Sequence, residues 1–391
     1  MSKKRHKMDV VRLIARLNVG GPAKHVAWLS SGLQKKSWTH KLLHGVIDKD
    51  EDDLSFFSND LGVDCLEVNS LEKDISLKDI KAFLQVLLIL HKNNPKILHT
   101  HTSKAGFLGR FAALFLNIVK PWNKIKIVHT FHGHTFHGYF SPKKEKLFLM
   151  IERFLARYAS DAIITISKQQ QLEIRDNFLV GHSKKHHMIS LGIDTHFANN
   201  LDKKSLKSKL NISENKKVFG IVGRIAPIKN HKLFIESISE FQKLSNEEVS
   251  FVIIGGCSNS DMQALIDYAF EKKVKSLKFA GNVNTPEEIY GALDYLVLTS
   301  KNEGTPVSIL EAFASKIPVV STSVGGVVDI VGLQNERALL AKQDAKDLAK
   351  QYKTLLNEDP SIRVEKAYIY VKENYSIDNL VNKVDQLYKS L

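Results

Sequence analysis

The sequence predicts an α/β protein of two domains, each built on a doubly wound parallel sheet. Three observations carry this. Short β-branched or apolar runs alternate with longer stretches of helical period along nearly the whole chain. A polar, lysine-rich interval at residues 191–211 separates two such series. The length, 391 residues, exceeds one ordinary core and suits two of roughly 150–200 residues.

In the first series, residues 10–17, 41–47, 96–101, 125–130 and 162–167 read as strands, and residues 22–34, 77–91, 104–118 and 143–158 as the helices between them. In the second, residues 218–222, 249–254, 277–280, 295–298 and 319–321 are strands, and residues 231–244, 261–271, 287–293 and 307–314 are helices. Strict alternation implies parallel sheets covered on both faces. The last stretch, residues 361–391, is periodic without strands and is expected to be helical.

Composition narrows the function. Hydrophobic residues make up 43% and charged residues 25%, as in a folded soluble protein. The longest apolar runs, residues 83–90 and 111–119, are interrupted by Gln85 and Asn117 and fall short of the roughly 18–20 residues a span needs. The basic start runs through Arg12 and Arg16 into a Gly-Gly turn, so a signal peptide is not expected. Cys65 and Cys257 have no metal spacing, and a cytoplasmic protein is expected. Net charge is +14 and unevenly spread: residues 1–195 hold 30 Lys and Arg against 18 Asp and Glu, residues 196–391 hold 26 against 24. The first half should therefore attract an anionic partner, unless the excess is only a solvated surface.

Four motifs carry chemistry. The turn Val19-Gly20-Gly21-Pro22 opens a helix, either as a phosphate site or as a plain structural turn; it lacks the G-x-G-x-x-G spacing of a dinucleotide fold. Arg224 and Lys229 follow a strand that ends near Gly223, at the sheet edge where ligands of such folds bind. Two cations there suit a diphosphate leaving group. Glu303 precedes, and Glu311 lies about two turns along, a helix entered through Gly304, Thr305 and Pro306. Eight residues of rise give about 12 Å, comparable to the reach from a nucleotide ribose to the sugar it carries. The histidines 99, 101, 129, 132, 134 and 137 have no Cys or carboxylate companions at ligand spacing, so hydrogen bonding is expected rather than a metal. The acidic run Asp48-Lys49-Asp50-Glu51-Asp52-Asp53 contains D-x-D but reads as a solvated loop. Nothing interleaves aromatic and basic residues on a nucleic-acid module, so no nucleic acid is expected.

Taken together and in order, GGPAKHV, HTHTSKAGFLGRFAAL, IVHTFHGH, ISLGIDT, VGRIAPIKN, FAGNV and EGTPVSILEAFASKIPVVSTSVGG resemble retaining glycosyltransferases of the GT-B fold, glycosyltransferase family 4. The resemblance covers nearly the whole chain, and the pair Glu303…Glu311 matches the family's E-x7-E motif. It implies two Rossmann-like domains facing each other across a cleft: residues 1–195 for the acceptor, residues 196–375 for the nucleotide-sugar donor, and residues 376–391 as a helix crossing back to the first domain. It implies that Arg224 and Lys229 hold the donor diphosphate, that Glu311 binds the ribose and that Glu303 contacts the donor sugar. Gly304, Thr305 and Pro306 would line the donor, Gly20 and Gly21 would close over the phosphates, and His132 would sit by the reacting sugar. Asn230 stands where Gly is common. A UDP-sugar donor, a lipid-linked or surface-polysaccharide acceptor, no cofactor and no metal are expected. A sugar-nucleotide epimerase, a phosphorylase or a non-catalytic binding protein on the same fold are the alternatives. The helix at residues 143–158 mixes Lys143, Lys144, Lys146, Arg153 and Arg157 with apolar residues, which raises contact with the inner face of an anionic membrane.

Overall fold

The computed structural model describes residues 8–18, 20–48, 53–133, 142–283, 285–332 and 334–391. The chain divides into two compact units, Met1–Gly192 with Ile377–Leu391, and Ile193–Ser376. Each holds one parallel sheet.

In the first unit the strands are β1 (Val10–Ile14), β2 (His40–Gly45), β3 (Cys65–Val68), β4 (Ile97–His101), β5 (Lys126–Phe131), β6 (Ala162–Thr165) and β7 (His186–Met188), in the order β3-β2-β1-β4-β5-β6-β7. In the second they are β8 (Lys217–Val222), β9 (Val249–Ile254), β10 (Leu277–Gly281), β11 (Tyr295–Leu298), β12 (Val319–Thr322) and β13 (Leu339–Ala341), in the order β10-β9-β8-β11-β12-β13. In both, the order reverses beside the unit's first strand, between β1 and β4 and between β8 and β11. That reversal opens a crevice at the carboxyl ends of the strands.

The central strands are buried on both faces, as the apolar runs required. Strand β1 is shorter than the apolar run: after Ile14 the chain leaves the ladder, held by bonds from Gly45 N–H to Ala15 O and Leu54 N–H to Leu17 O. Strands β3, β7 and β13, of three or four residues each, show no period of their own. The helical C-terminal stretch breaks at Tyr375 and Ser376 into two helices, Ser361–Asn374 and Ile377–Ser390.

The helix Ile377–Ser390 lies in the first unit, against the helix Gly21–Lys35. Leu380, Val381, Val384, Leu387 and Tyr388 join Val10, Leu29 and Leu33 in one core cluster, and burial of each such side chain stabilises by about 1.5–3 kcal/mol. Approach is close because Gly32 has no side chain: a Cβ there would lie 2.3 Å from Val381 Cγ2. On the opposite face of this sheet, the helices Lys78–Asn93, Ser103–Val119 and Pro142–Tyr158 build another cluster with Val11, Leu13, Leu98 and Ile127.

Candidate functional site

The second unit gathers most of the expected donor residues at its strand-order reversal. Lys229, after β8, sets its Nζ 2.6 Å from Glu303 Oε1, after β11, and Ser300 Oγ donates to the same oxygen at 2.6 Å. Neighbouring backbone ties hold both loops. Lys301 N–H bonds to Ile228 O at 2.8 Å, and Thr299 Oγ1 lies 3.0 and 3.1 Å from Lys229 O and Asn230 O. Asn230 adopts the left-handed conformation, φ 54° and ψ 49°, one that Gly and Asn tolerate at least cost. The carbonyl of Glu303 accepts Gly326 N–H at 2.8 Å, and a Cβ at Gly325 would fall 2.0 Å from it. Only glycine fits between β12 and Glu303, and its φ of 48° adds to that requirement. Arg224 is exposed in the same loop as Lys229 and, among the described residues, makes no hydrogen bond or ion pair.

Glu311 sits apart from this pair. Its Oε2 accepts the Tyr290 hydroxyl at 2.7 Å. Burial, then the neighbouring Glu311 charge, drives the Tyr290 pKa well above its ordinary value, so the phenol remains a donor that aims the carboxylate. The helix starts at Val307, where the sequence placed it, so Glu311 is its fifth residue and lies little more than one turn in, not two. The cause is Pro306: proline disfavours helical backbone in the residue before it, so Thr305 stays outside. Pro306 stands at the cap position without a side-chain cap, and the first bond back is Ile309 N–H to Pro306 O at 3.1 Å. The Val307 and Ser308 N–H groups therefore precede the intrahelical ladder, in a place that favours an anion.

The first unit brings histidines together at its own reversal. His101 ends β4, His132 follows β5, and His25 lies on the helix Gly21–Lys35. His101 Nδ1 and His132 Nε2 are 2.9 Å apart, and the His25 ring meets the His132 ring edge-on at 4.8 Å between centroids. Burial holds His132 down to about 4. Burial also drives His25 and His101 well below their ordinary range, reinforced by neighbouring imidazoles and by Arg12. At neutral pH all three are uncharged. Arg12 is wholly buried, bonded to Ser30 Oγ and, at 3.2 Å, to the Tyr388 hydroxyl. Tyr388 also meets His99 Nδ1 at 2.6 Å, while His99 Nε2 meets Thr130 Oγ1 and His129 Nδ1 meets Thr100 Oγ1. His99 and His129 thus serve the sheet interior. Thr102, between β4 and the helix Ser103–Val119, is held at φ 65°, ψ 157°, rare for a β-branched residue, and accepts Ala15 N–H at 3.2 Å.

Among the described residues, His25, His101 and His132 are the one group able to face a metal, with ligand atoms within 4.8 Å of one another. His101 and His132 each turn one ring nitrogen toward the other, while His101 Nε2 is buried without a hydrogen-bond partner. Of the acidic run, Asp48 pairs with Lys73 at 3.3 Å and Asp53 accepts Ser55 N–H at 2.6 Å; residues 49–52 lie outside the described residues, as do Val19, His134 and His137. Gly20 is extended and precedes the helix, whose first residue is Gly21; a Cβ at Gly20 would meet nothing closer than 3.8 Å. Backbone strain therefore does not explain Gly20. His25, Ser300, Tyr290 and Gly325 were not singled out from sequence. His25 stood within GGPAKHV, one turn into the helix after the Gly-Gly pair, and Gly325 within the terminal SVGG, so both had a local signal.

Residues 19–197 match the family model for glycosyltransferase family 4, and residues 202–375 match that for group 1 glycosyl transferases. UDP-Gal:alpha-D-GlcNAc-diphosphoundecaprenol alpha-1,3-galactosyltransferase of Escherichia coli is 31% identical over 267 residues, which are 66% of this chain and 66% of that protein. Capsular polysaccharide biosynthesis glycosyltransferase CapM of Staphylococcus aureus is 26% identical over 321 residues, 80% of each chain. The structure of Anabaena Alr3699/HepE in complex with UDP and glucose superposes with a TM-score of 0.80 at 17% identity, over 98% of this chain and 100% of that one. The sheets of seven and six parallel strands are thus the two Rossmann-like domains of the GT-B fold.

Proposed function

We propose, from the premise that this chain belongs to glycosyltransferase family 4 and is a glycosyltransferase, that it moves a hexosyl unit from a UDP-sugar to a lipid-linked or surface-polysaccharide acceptor. The observation that carries the reading is the Lys229–Glu303–Ser300 contact at the β8/β11 reversal, beside the start of the helix that bears Glu311. In this reading Lys229 and Arg224 bind the diphosphate and stabilise the charge that grows on it as the glycosidic bond breaks. Gly304, Thr305 and Pro306 lead the chain past the donor to the Val307 and Ser308 N–H groups. Glu311, aimed by Tyr290, takes the ribose hydroxyls, and Glu303 takes the donor sugar. The first unit supplies the acceptor surface, with the Gly20–Gly21 turn toward the phosphates and neutral His132 as a hydrogen-bonding group for the reacting sugar. The UDP and polyprenyl-diphosphate chemistry is carried over from the names of the relatives.

The proposal includes retention of anomeric configuration without a metal ion. Glu303 accepts from Lys229 and Ser300 through Oε1; in this reading it binds the donor sugar and does not attack it, and the departing phosphate takes the acceptor proton. A cytoplasmic location is part of the reading, and both cysteines are unpaired, as suits a reducing compartment.

The test is transfer from a panel of labelled nucleotide sugars to a polyprenyl-diphosphate-linked sugar, with and without excess chelator. Labelled lipid product is expected in both arms. Interconversion of free sugar nucleotide, a requirement for inorganic phosphate, or binding without turnover would each replace the reading by one of its alternatives. Abolition by chelator contradicts metal independence, and an inverted anomeric proton in the product's NMR spectrum contradicts retention.

A further inference from the structure

The outer face of the first unit's three-helix layer is unusual for a water-facing surface. An outward helix face ordinarily carries charge. On the helix Ser103–Val119 the exposed residues are Ser103, Phe107, Phe115, Ile118 and Val119, with Phe115 50% and Ile118 69% exposed. The half-buried Phe111 fills the gap in this stripe, its ring 4.8 Å from that of Phe107 and 5.9 Å from that of Phe154, between centroids. The flanking helices continue the surface. Ile80, Leu84 and Leu88 lie exposed at four-residue spacing on Lys78–Asn93, and Leu147, Met150, Phe154 and Tyr158 on Pro142–Tyr158. Trp122, 80% exposed, projects just past the central helix between Lys120 and Lys124. The layer is rigidly joined: Lys104 meets Asp79 at 2.6 Å, and Arg110 grips both oxygens of Glu152 at 2.7 Å.

Charge tells what covers this face. Among the described residues, no exposed position on the three helices is acidic, and eight are Lys or Arg, with Lys143, Lys144, Lys146, Arg153 and Arg157 on one helix. The acids of these helices, Asp79, Glu145 and Glu152, are withdrawn from the surface. A two-fold contact with a second copy would press one cationic face against another with no exposed acid on these helices to offset it. Apolar side chains ringed by cations, with an exposed tryptophan at the margin, match the interface of an anionic bilayer. We propose that this three-helix face docks on anionic lipid, with Phe107, Phe115, Ile118 and Trp122 entering the headgroup region and the cations meeting lipid phosphates. The inference deepens the function proposed above by giving the bilayer that carries a lipid-linked acceptor a named docking face. It rests on that reading for its purpose and on the exposed residues for its substance.

The experiment is co-sedimentation of the full chain with vesicles of phosphatidylcholine alone, or mixed with phosphatidylglycerol, at low and high salt, with no donor or acceptor present. Binding is expected on the anionic vesicles, and weaker at high salt because the charges are screened within about 10 Å at 0.1 M. Lys143→Glu/Lys144→Glu/Lys146→Glu should lower the apparent affinity by at least roughly a hundredfold. Phe115→Ser/Ile118→Ser should lower it at least tenfold while leaving the melting temperature in place, because neither side chain is buried. Transfer to a short-chain, water-soluble acceptor reports the proposed activity separately, and both variants should keep it. Equal binding to neutral and anionic vesicles, no binding at low salt, wild-type binding by either variant, or a lipid-independent dimer that both variants dissolve would overturn the docking face.

Discussion

The two units share a strand order and place their chemistry at the same topological point, yet they fill it with opposite materials. The first sets uncharged imidazoles, His25, His101 and His132, beside the buried cation Arg12. The second sets a partly exposed ion pair, Lys229 with Glu303, and carries the exposed Arg224 in the same loop as Lys229. In each, a threonine knots the two central strand ends together, Thr102 by accepting Ala15 N–H and Thr299 by reaching two carbonyls of the β8 loop. The topology supplies a crevice in each unit; the side chains decide whether it presents charged groups or neutral hydrogen-bonding ones.

The largest effect that would sharpen this contrast is expected at Glu303. Glu303→Ala removes the partner of both Lys229 and Ser300, and kcat should fall by about two to three orders of magnitude with the donor KM less affected. A normal kcat with a raised KM would move Glu303 from the sugar to the nucleotide. His132→Ala should lower kcat by roughly 10²-fold if the neutral imidazole meets the reacting sugar. An unchanged rate would reduce the histidine cluster to core packing.

Acid should separate the units. Among the described residues, eight histidines of the first unit, including His25, His99, His101 and His129, titrate below their ordinary value, against His231 in the second. A folded pKa below the unfolded one means that the unfolded chain binds more protons. Stability is therefore full above about pH 6.5 and is lost as pH falls toward 4, by up to about 1.4 kcal/mol per pH unit for each buried histidine. All three tryptophans, Trp28, Trp38 and Trp122, lie in the first unit. Their fluorescence should change at higher pH than the far-ultraviolet signal of the whole chain, and coincident transitions would contradict the contrast. The smallest effect is expected at the ribose end: Glu311→Ala should raise the donor KM with little change in kcat, and Tyr290→Phe should do the same more weakly, by about tenfold or less.

Much of this was legible before any coordinates. The alternation of apolar runs and helical periods located ten of the strands, because a strand buried on both faces must be apolar throughout. The spacing of Arg224, Lys229, Glu303 and Glu311 was legible because each lies just after a strand or at a helix start. What escaped was long-range or very short. Strands of three or four residues leave no period to read. Tyr388 enters the first unit's interior 376 residues from Arg12, and no local pattern announces that partner. Tyr290 reaches Glu311 across 21 residues from the helix Pro286–Gly291. Pro306 did carry a signal, and it placed the helix start at Val307; what the spacing overstated was the distance along the helix to Glu311, which is little more than one turn.

Binding of the donor diphosphate by the β8 loop of the second unit is checked by calorimetric titration of UDP into the full chain. Wild-type protein should bind, while Lys229→Ala and Arg224→Ala should each lose about 2–4 kcal/mol of binding free energy, roughly 30- to 1,000-fold in Kd, with melting temperatures unchanged. UDP binding of wild-type strength in both variants would contradict the account.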